Sequence, residues 1–154
     1  YFIRHFTILR YDIFTNFYSV KYQQTIDKVS PFQTTLVQGT EIALLQKHFA
    51  LNVGKEQQIY VLNNAPALYF LLDRKNATKF DLPLLAGTLE KRLETVEVLK
   101  AKTPLVIEYV NAWAVDGVSD RSRQPEVFQF VDMNYIVKNR VGPFTLYVFK
   151  QSRN

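Results

Sequence analysis

The sequence predicts an α/β fold: a small three-layer sandwich with a mostly parallel sheet and a C-terminal antiparallel hairpin. Three observations carry this expectation. The runs Ile59-Tyr60-Val61-Leu62 and Leu105-Val106-Ile107-Glu108-Tyr109-Val110 have the near-continuous apolar character of strands covered on both faces. Segments with apolar residues at helical spacing lie between and around them, and strands alternating with helices imply parallel βαβ units. Near the end, Tyr135 to Lys138 and Thr145 to Phe149 flank Gly142-Pro143, the pattern of a terminal hairpin.

Residues 1–29 read as an aromatic N-terminal segment and residues 30–154 as a single α/β domain. In the first 22 residues Phe2, Phe6, Leu9, Ile13, Phe17 and Val20 recur at helical spacing, with Arg4, His5, Arg10 and Lys21 on other positions. Such a segment suits the surface of a membrane, where aromatic rings sit at headgroup level and basic residues meet anionic lipid headgroups. It equally suits a terminal helix packed on its own domain.

Ser30-Pro31-Phe32-Gln33 has the form of a capping box with proline at the first helical position, so a helix is expected to begin there. Leu36, Val37, Ile42, Leu44, Leu45 and Phe49 supply its buried face, and Asn52-Val53-Gly54 ends it. After the first strand comes a short helix from Pro66 to Leu72. Asp73-Arg74-Lys75-Asn76 then turns the chain into a second short strand at Thr78 to Phe80. A long helix is expected from Thr88 to Lys102 with Leu89, Leu93, Val96 and Leu99 as its apolar stripe, stopped by Thr103-Pro104. A polar loop from Asn111 to Gln124 and a helix from Pro125 to Met133 lead into the hairpin.

With 154 residues, 47% of them hydrophobic and 21% charged, the chain fits one globular core. Tyr1 stands first and Met133 is the sole methionine, so the chain reads as a piece of a longer protein. The absence of cysteine excludes disulfides, thiolate catalysis and cysteine-based metal sites. A net charge of +5 and a pI near 9.4 would suit an anionic partner. The basic residues are scattered, however, and nucleic acid is not an expected partner.

The chemistry tests are mostly negative. A dinucleotide site needs a glycine-rich turn after the first strand, and here that turn is Asn63-Asn64-Ala65-Pro66. No cofactor is expected. His5 and His48 belong to no ligand-spaced cluster, so no metal is expected. Glu90, Glu94 and Glu97, with Lys91, Arg92 and Lys100 beside them, read as an ion-paired helix surface. Asp116, Asp120, Arg121 and Arg123 read as a mobile, charged surface loop without the pattern of a calcium site. Asn76-Ala77-Thr78 matches the glycosylation acceptor triplet. No catalytic residue can be assigned. A small-molecule site would lie beyond the carboxyl ends of the parallel strands, at Asn63, Asn64, Asp81 and Asn111, with Asp73 and Arg74 nearby. The competing role for these asparagines is turn capping.

The order of signals resembles the soluble C-terminal domain of polytopic glycosyltransferases of the GT-C type, the group related to protein O-mannosyltransferases and lipid A aminoarabinose transferases. The Leu68-Tyr69-Phe70-Leu71 patch followed by Asp73-Arg74 and Ala77-Thr78-Lys79-Phe80 is similar to that group's "pelYfltgR-x-x-x-tr-f" pattern. Lys102 to Ile107 resembles its "k-p-d-y-i-v" strand, and Asn134-Tyr135 with Phe144-Thr145-Leu146-Tyr147 its closing "n-Y … g-x-x-l-y" hairpin. Leu72-Asp73 departs from the pattern, which usually has a small residue and glycine before the arginine. The resemblance covers about residues 40–150. It implies a polyprenyl-phosphate-linked sugar donor, an extracytoplasmic location as part of an integral membrane protein, and the membrane portion of the parent chain as partner. It also implies catalysis in an early loop outside this segment, which makes the domain a non-catalytic accessory. The alternatives from the residues themselves are an independent small α/β ligand-binding or regulatory module and a degenerate enzyme of flavodoxin-like shape.

Overall fold

The computed structural model describes residues 21–26, 29–112 and 114–150, with side chains from residue 39 onward. The aromatic segment of residues 1–20 lies outside the described residues. The chain divides at Ala43 and Leu44 into two compact units. In the first, β1 (Lys21–Ile26) and β2 (Val29–Thr35) form an antiparallel ribbon with Lys21 opposite Thr35. Residues 29 and 30, where the domain boundary was expected, both lie in β2.

The helix start expected at Ser30-Pro31-Phe32-Gln33 is corrected: these residues lie in β2, and helix α1 spans Leu36–Asn52. A capping box is a local signal, and here strand pairing wins: Phe32 lies opposite Gln24 and Gln33 opposite Gln23. Pro31 falls where the register shifts between Gln24 and Ile26, a place where a missing N–H is tolerated.

The second unit holds a four-stranded sheet in the order β3 (Ile59–Val61), β4 (Leu105–Tyr109), β6 (Phe144–Phe149), β5 (Tyr135–Val141). β3 and β4 are parallel, with Ile59 opposite Leu105; β6 runs antiparallel to both β4 and β5. The helices are α2 (Ala67–Leu71), α3 (Leu89–Lys102), α4 (Asp120–Arg123) and α5 (Pro125–Asn134). The fold is α/β, a mixed sheet with its parallel pair at one end and the C-terminal hairpin at the other.

Strand side chains alternate between faces, and both faces are covered. Ile59, Val61, Leu105, Ile107, Phe144 and Leu146 pack with Leu45 and Phe49 of α1 and with Leu68 and Leu72 at α2. Tyr60, Leu62 and Val106 pack on the other face with Leu99 of α3 and with Val127, Phe128 and Val131 of α5. This explains why β3 and β4 read as continuous apolar runs; each large side chain so buried contributes about 1.5–3 kcal/mol.

Two further expectations are corrected. Thr78 to Phe80 form no strand; a single bridge joins Asn76 to Ile59. The Asn76 side chain accepts the Thr78 N–H at 3.0 Å and donates to the Phe80 carbonyl at 2.8 Å, so a local turn takes the groups that a strand would need. In α3, Leu99 is buried and Val96 partly so, but Leu89 and Leu93 are exposed. The buried face runs instead through Thr95, whose hydroxyl donates to the Lys91 carbonyl at 2.9 Å, and past Arg92, which forks onto Glu126 of α5. Polar side chains satisfied this way can occupy a packed face.

Candidate functional site

The carboxyl ends of β3 and β4 are joined by side-chain bonds. The Asn63 Oδ1 accepts the Tyr109 N–H at 2.8 Å, and the Asn64 N–H donates to Asp120 Oδ2 at 2.9 Å. One turn later Gln124, wholly buried, donates to the Leu62 carbonyl at 2.7 Å while its Oε1 accepts the Tyr60 hydroxyl at 3.1 Å. Burial raises the Tyr60 phenol far above its ordinary value, with Tyr69 adding to the effect. The reading of residues 116–123 as a surface loop is therefore corrected at Asp120, which is buried and pins the loop to the end of β3. Its partner is 56 residues away, beyond the reach of any local pattern.

Next to this network the sheet carries a polar row. Glu108, Thr145 and Arg140 lie directly opposite one another on β4, β6 and β5, so their side chains share the face that carries Val106 and Tyr60. The Tyr147 hydroxyl donates to Glu108 at 2.5 Å. Burial first, then the bond to Glu108, raises the Tyr147 phenol well above its ordinary value. Arg121 pairs with Asp132 at 2.7 Å and lies over the Phe128 ring, and both charges reach Tyr147 electrostatically. Val137, opposite Tyr147, is 47% exposed, so the helices leave this corner of the sheet open. None of Glu108, Thr145, Arg140 or Tyr147 was singled out from the sequence as a site residue; the strand alternation that puts Glu108 and Tyr147 on one face was the available signal.

The other expected residues disperse. Asn111 is exposed in the turn after β4. Asp81 is exposed and, with the second strand absent, marks no strand end; its charge acts on Tyr69, whose phenol is raised chiefly by burial. Arg74 lies apart from the asparagines: it donates to the carbonyls of Val53 at 3.0 Å, Leu72 at 3.0 Å and Asp73 at 2.9 Å, with its guanidinium over the Phe49 ring. Asp73 has φ 54°, the left-handed region that glycine favours. At the opposite end of the sheet, a shallow hollow of about 140 Å³ lies between Gly54, Thr103, Lys138 and Phe149. Among the described residues no group of three His, Asp or Glu side chains could hold a metal, and no helix is long and apolar enough to cross a membrane. The Asn76 amide of the glycosylation triplet is bonded within its own turn.

Fold and site together define a small α/β domain whose strand carboxyl ends are tied together by buried side-chain hydrogen bonds. Compared with protein families, curated proteins and solved structures, the chain matches none.

Proposed function

We propose that this chain is a non-catalytic, extracytoplasmic accessory domain of a membrane-bound glycosyltransferase that uses a polyprenyl-phosphate-linked sugar. The observation that carries the reading is the architectural use of the two most specific residues of the Tyr-to-Arg pattern. Tyr69 accepts the N–H of Val61 at 3.0 Å on the outer side of β3, and Arg74 closes three carbonyls of the following turn. The departure at Leu72-Asp73 is conformationally slight, because Asp73 adopts the left-handed backbone that glycine favours. The strand-like motif at Lys102 to Ile107 opens β4, and the motifs at Asn134-Tyr135 and Phe144 to Tyr147 open β5 and β6. The domain would cover the catalytic centre of the parent chain's membrane portion or help recognise its acceptor.

The test is deletion of residues 44–150 from the full-length protein, followed by assay of sugar transfer in native membranes. Loss of transfer with membrane insertion retained supports the reading. Full transfer without the domain, or a parent protein lacking membrane spans, overturns it, as does turnover of a polyprenyl-phosphate sugar by the 154-residue chain alone. Co-sedimentation of that chain with anionic vesicles, compared with a form lacking residues 1–22, tests the lipid partner.

A further inference from the structure

We propose that the hollow at the amino ends of β3 and β4 binds a small organic monoanion, a short-chain carboxylate whose charge meets Lys138 and whose apolar end meets Leu105 and Phe149. The carboxyl ends, where α/β sheets usually hold a ligand, are occupied in this chain by Asn63, Asp120 and Gln124 and their hydrogen bonds. At the opposite end Gly54, Thr103, Lys138 and Phe149 border a space of about 140 Å³. A cavity of about 150 Å³ holds one benzene molecule, so this space suits a ligand of about six heavy atoms and is too small to enclose a nucleotide.

Two irregular backbone features meet at this hollow. Lys138 is the extra residue of β5, unpaired between Val137 opposite Tyr147 and Asn139 opposite Leu146, and a bulge of this kind re-aims a side chain. Thr103 ends α3 at φ 43° and ψ 51°, a left-handed conformation that a β-branched residue resists and that glycine usually supplies at a helix end. Conformations of this kind concentrate at ligand sites, and here the strain keeps a hydroxyl on the rim. The lining sets the charge of the ligand. Among the described residues no aspartate or glutamate lines the hollow, and Lys138 enters no ion pair. The carbonyl ends of α1 and α3 would oppose an anion, but cations already meet them: Arg74 donates to the Val53 carbonyl at 3.0 Å, and Lys100 and Lys102 stand in the last turn of α3. Lys138 is thereby left for a ligand. The Thr103 hydroxyl can donate a second bond to a carboxylate, and Leu105, Val148 and Phe149 offer apolar surface to its tail.

The carboxylate class follows from these groups and does not rest on the accessory-domain reading, so the experiment measures binding alone. The 154-residue chain is titrated with butyrate while backbone amide resonances are followed by NMR, with butyramide as the neutral isostere and inorganic phosphate as an anion without an apolar end. Saturable shifts at Gly54, Gln57, Thr103 and Lys138 are expected for butyrate, with a dissociation constant on the order of 1 mM for so small a ligand, and not for butyramide. Lys138→Gln should weaken butyrate about tenfold, and because Lys138 is exposed the variant should keep its fold. Thr103→Gly should raise the urea midpoint, since glycine accepts the left-handed backbone, while butyrate affinity falls about threefold. A purely structural cap would gain stability with binding unaltered. No saturable shift with butyrate, shifts confined to another part of the molecule, equal binding of butyramide, tighter binding of phosphate, or butyrate affinity unchanged in either variant overturns the proposal.

Discussion

Asn63 accepts the backbone N–H of Tyr109 at 2.8 Å, so the residue beyond the end of β3 prolongs the ladder of β4 with its side chain. Replacement by alanine leaves a partly buried N–H without its acceptor. Asn63→Ala is expected to cost about 1–2 kcal/mol, read as a lower urea midpoint at unchanged slope. An unchanged midpoint would mean that water replaces the side chain at no cost.

Tyr69 protects the outer side of β3 by accepting the Val61 N–H. In Tyr69→Phe the ring stays and the acceptor goes. The Val61 amide should then exchange with solvent faster than its neighbours, and stability should fall by about 1 kcal/mol. Unaltered exchange at Val61 would show that the phenol is dispensable there.

Asp73 occupies the left-handed region at φ 54°. Asp73→Gly should leave the domain as stable or slightly more so. Asp73→Val places a β-branched side chain in a backbone conformation it resists, and should cost about 1–2 kcal/mol. Thermal unfolding of the pair decides; equal losses in both would mean that the Asp73 side chain matters more than its backbone.

Ile107 is fully buried at the centre of the sheet, between the parallel and antiparallel neighbours of β4. Ile107→Asp sets an unpaired carboxylate in an apolar layer. The cost of several kcal/mol is comparable to a total stability of about 5–15 kcal/mol, so the variant should not fold. A native circular-dichroism spectrum from soluble Ile107→Asp would contradict this.

Tyr60 is one of four phenols, with Tyr69, Tyr135 and Tyr147, that give the alkaline pH dependence, and its sign follows from linkage. Its phenol is raised in the folded state by burial, so the folded protein keeps a proton that the unfolded chain releases. Its contribution is fully present below the ordinary tyrosine value, near pH 10, and is lost as pH rises beyond it, by about 1.4 kcal/mol per pH unit. Urea midpoints should therefore be flat in neutral solution and fall in strong alkali. Tyr60→Phe should fall less steeply, and an equal alkaline slope in both proteins would assign the effect to other groups.

The local signals that survived are those whose cause is local or periodic. Continuous apolar runs at Ile59 to Leu62 and at Leu105 to Tyr109 determined two strands, because only side chains buried on both faces permit such runs. Thr88 determined the start of α3 by capping, accepting the Lys91 N–H, and Gly142-Pro143 determined the terminal hairpin. Where a local signal competed with pairing to another segment, pairing won: Ser30 to Gln33 became strand. Where a side chain could satisfy its own turn, as Asn76 does, an expected strand was lost.

The site was legible only in part. The carboxyl ends of the strands pointed to Asn63 and Asn64, but Asp120 and Gln124 join them across 56 and 62 residues. Glu108, Thr145 and Arg140 belong to three strands, and their juxtaposition depends on a register that includes the irregularity between Val137 and Asn139. A shift of one residue in that register would send Arg140 to the opposite face. Composition and periodicity thus determined which segments could be buried, while the row of polar groups at the open corner was decided by strand pairing, a long-range choice that no single segment encodes.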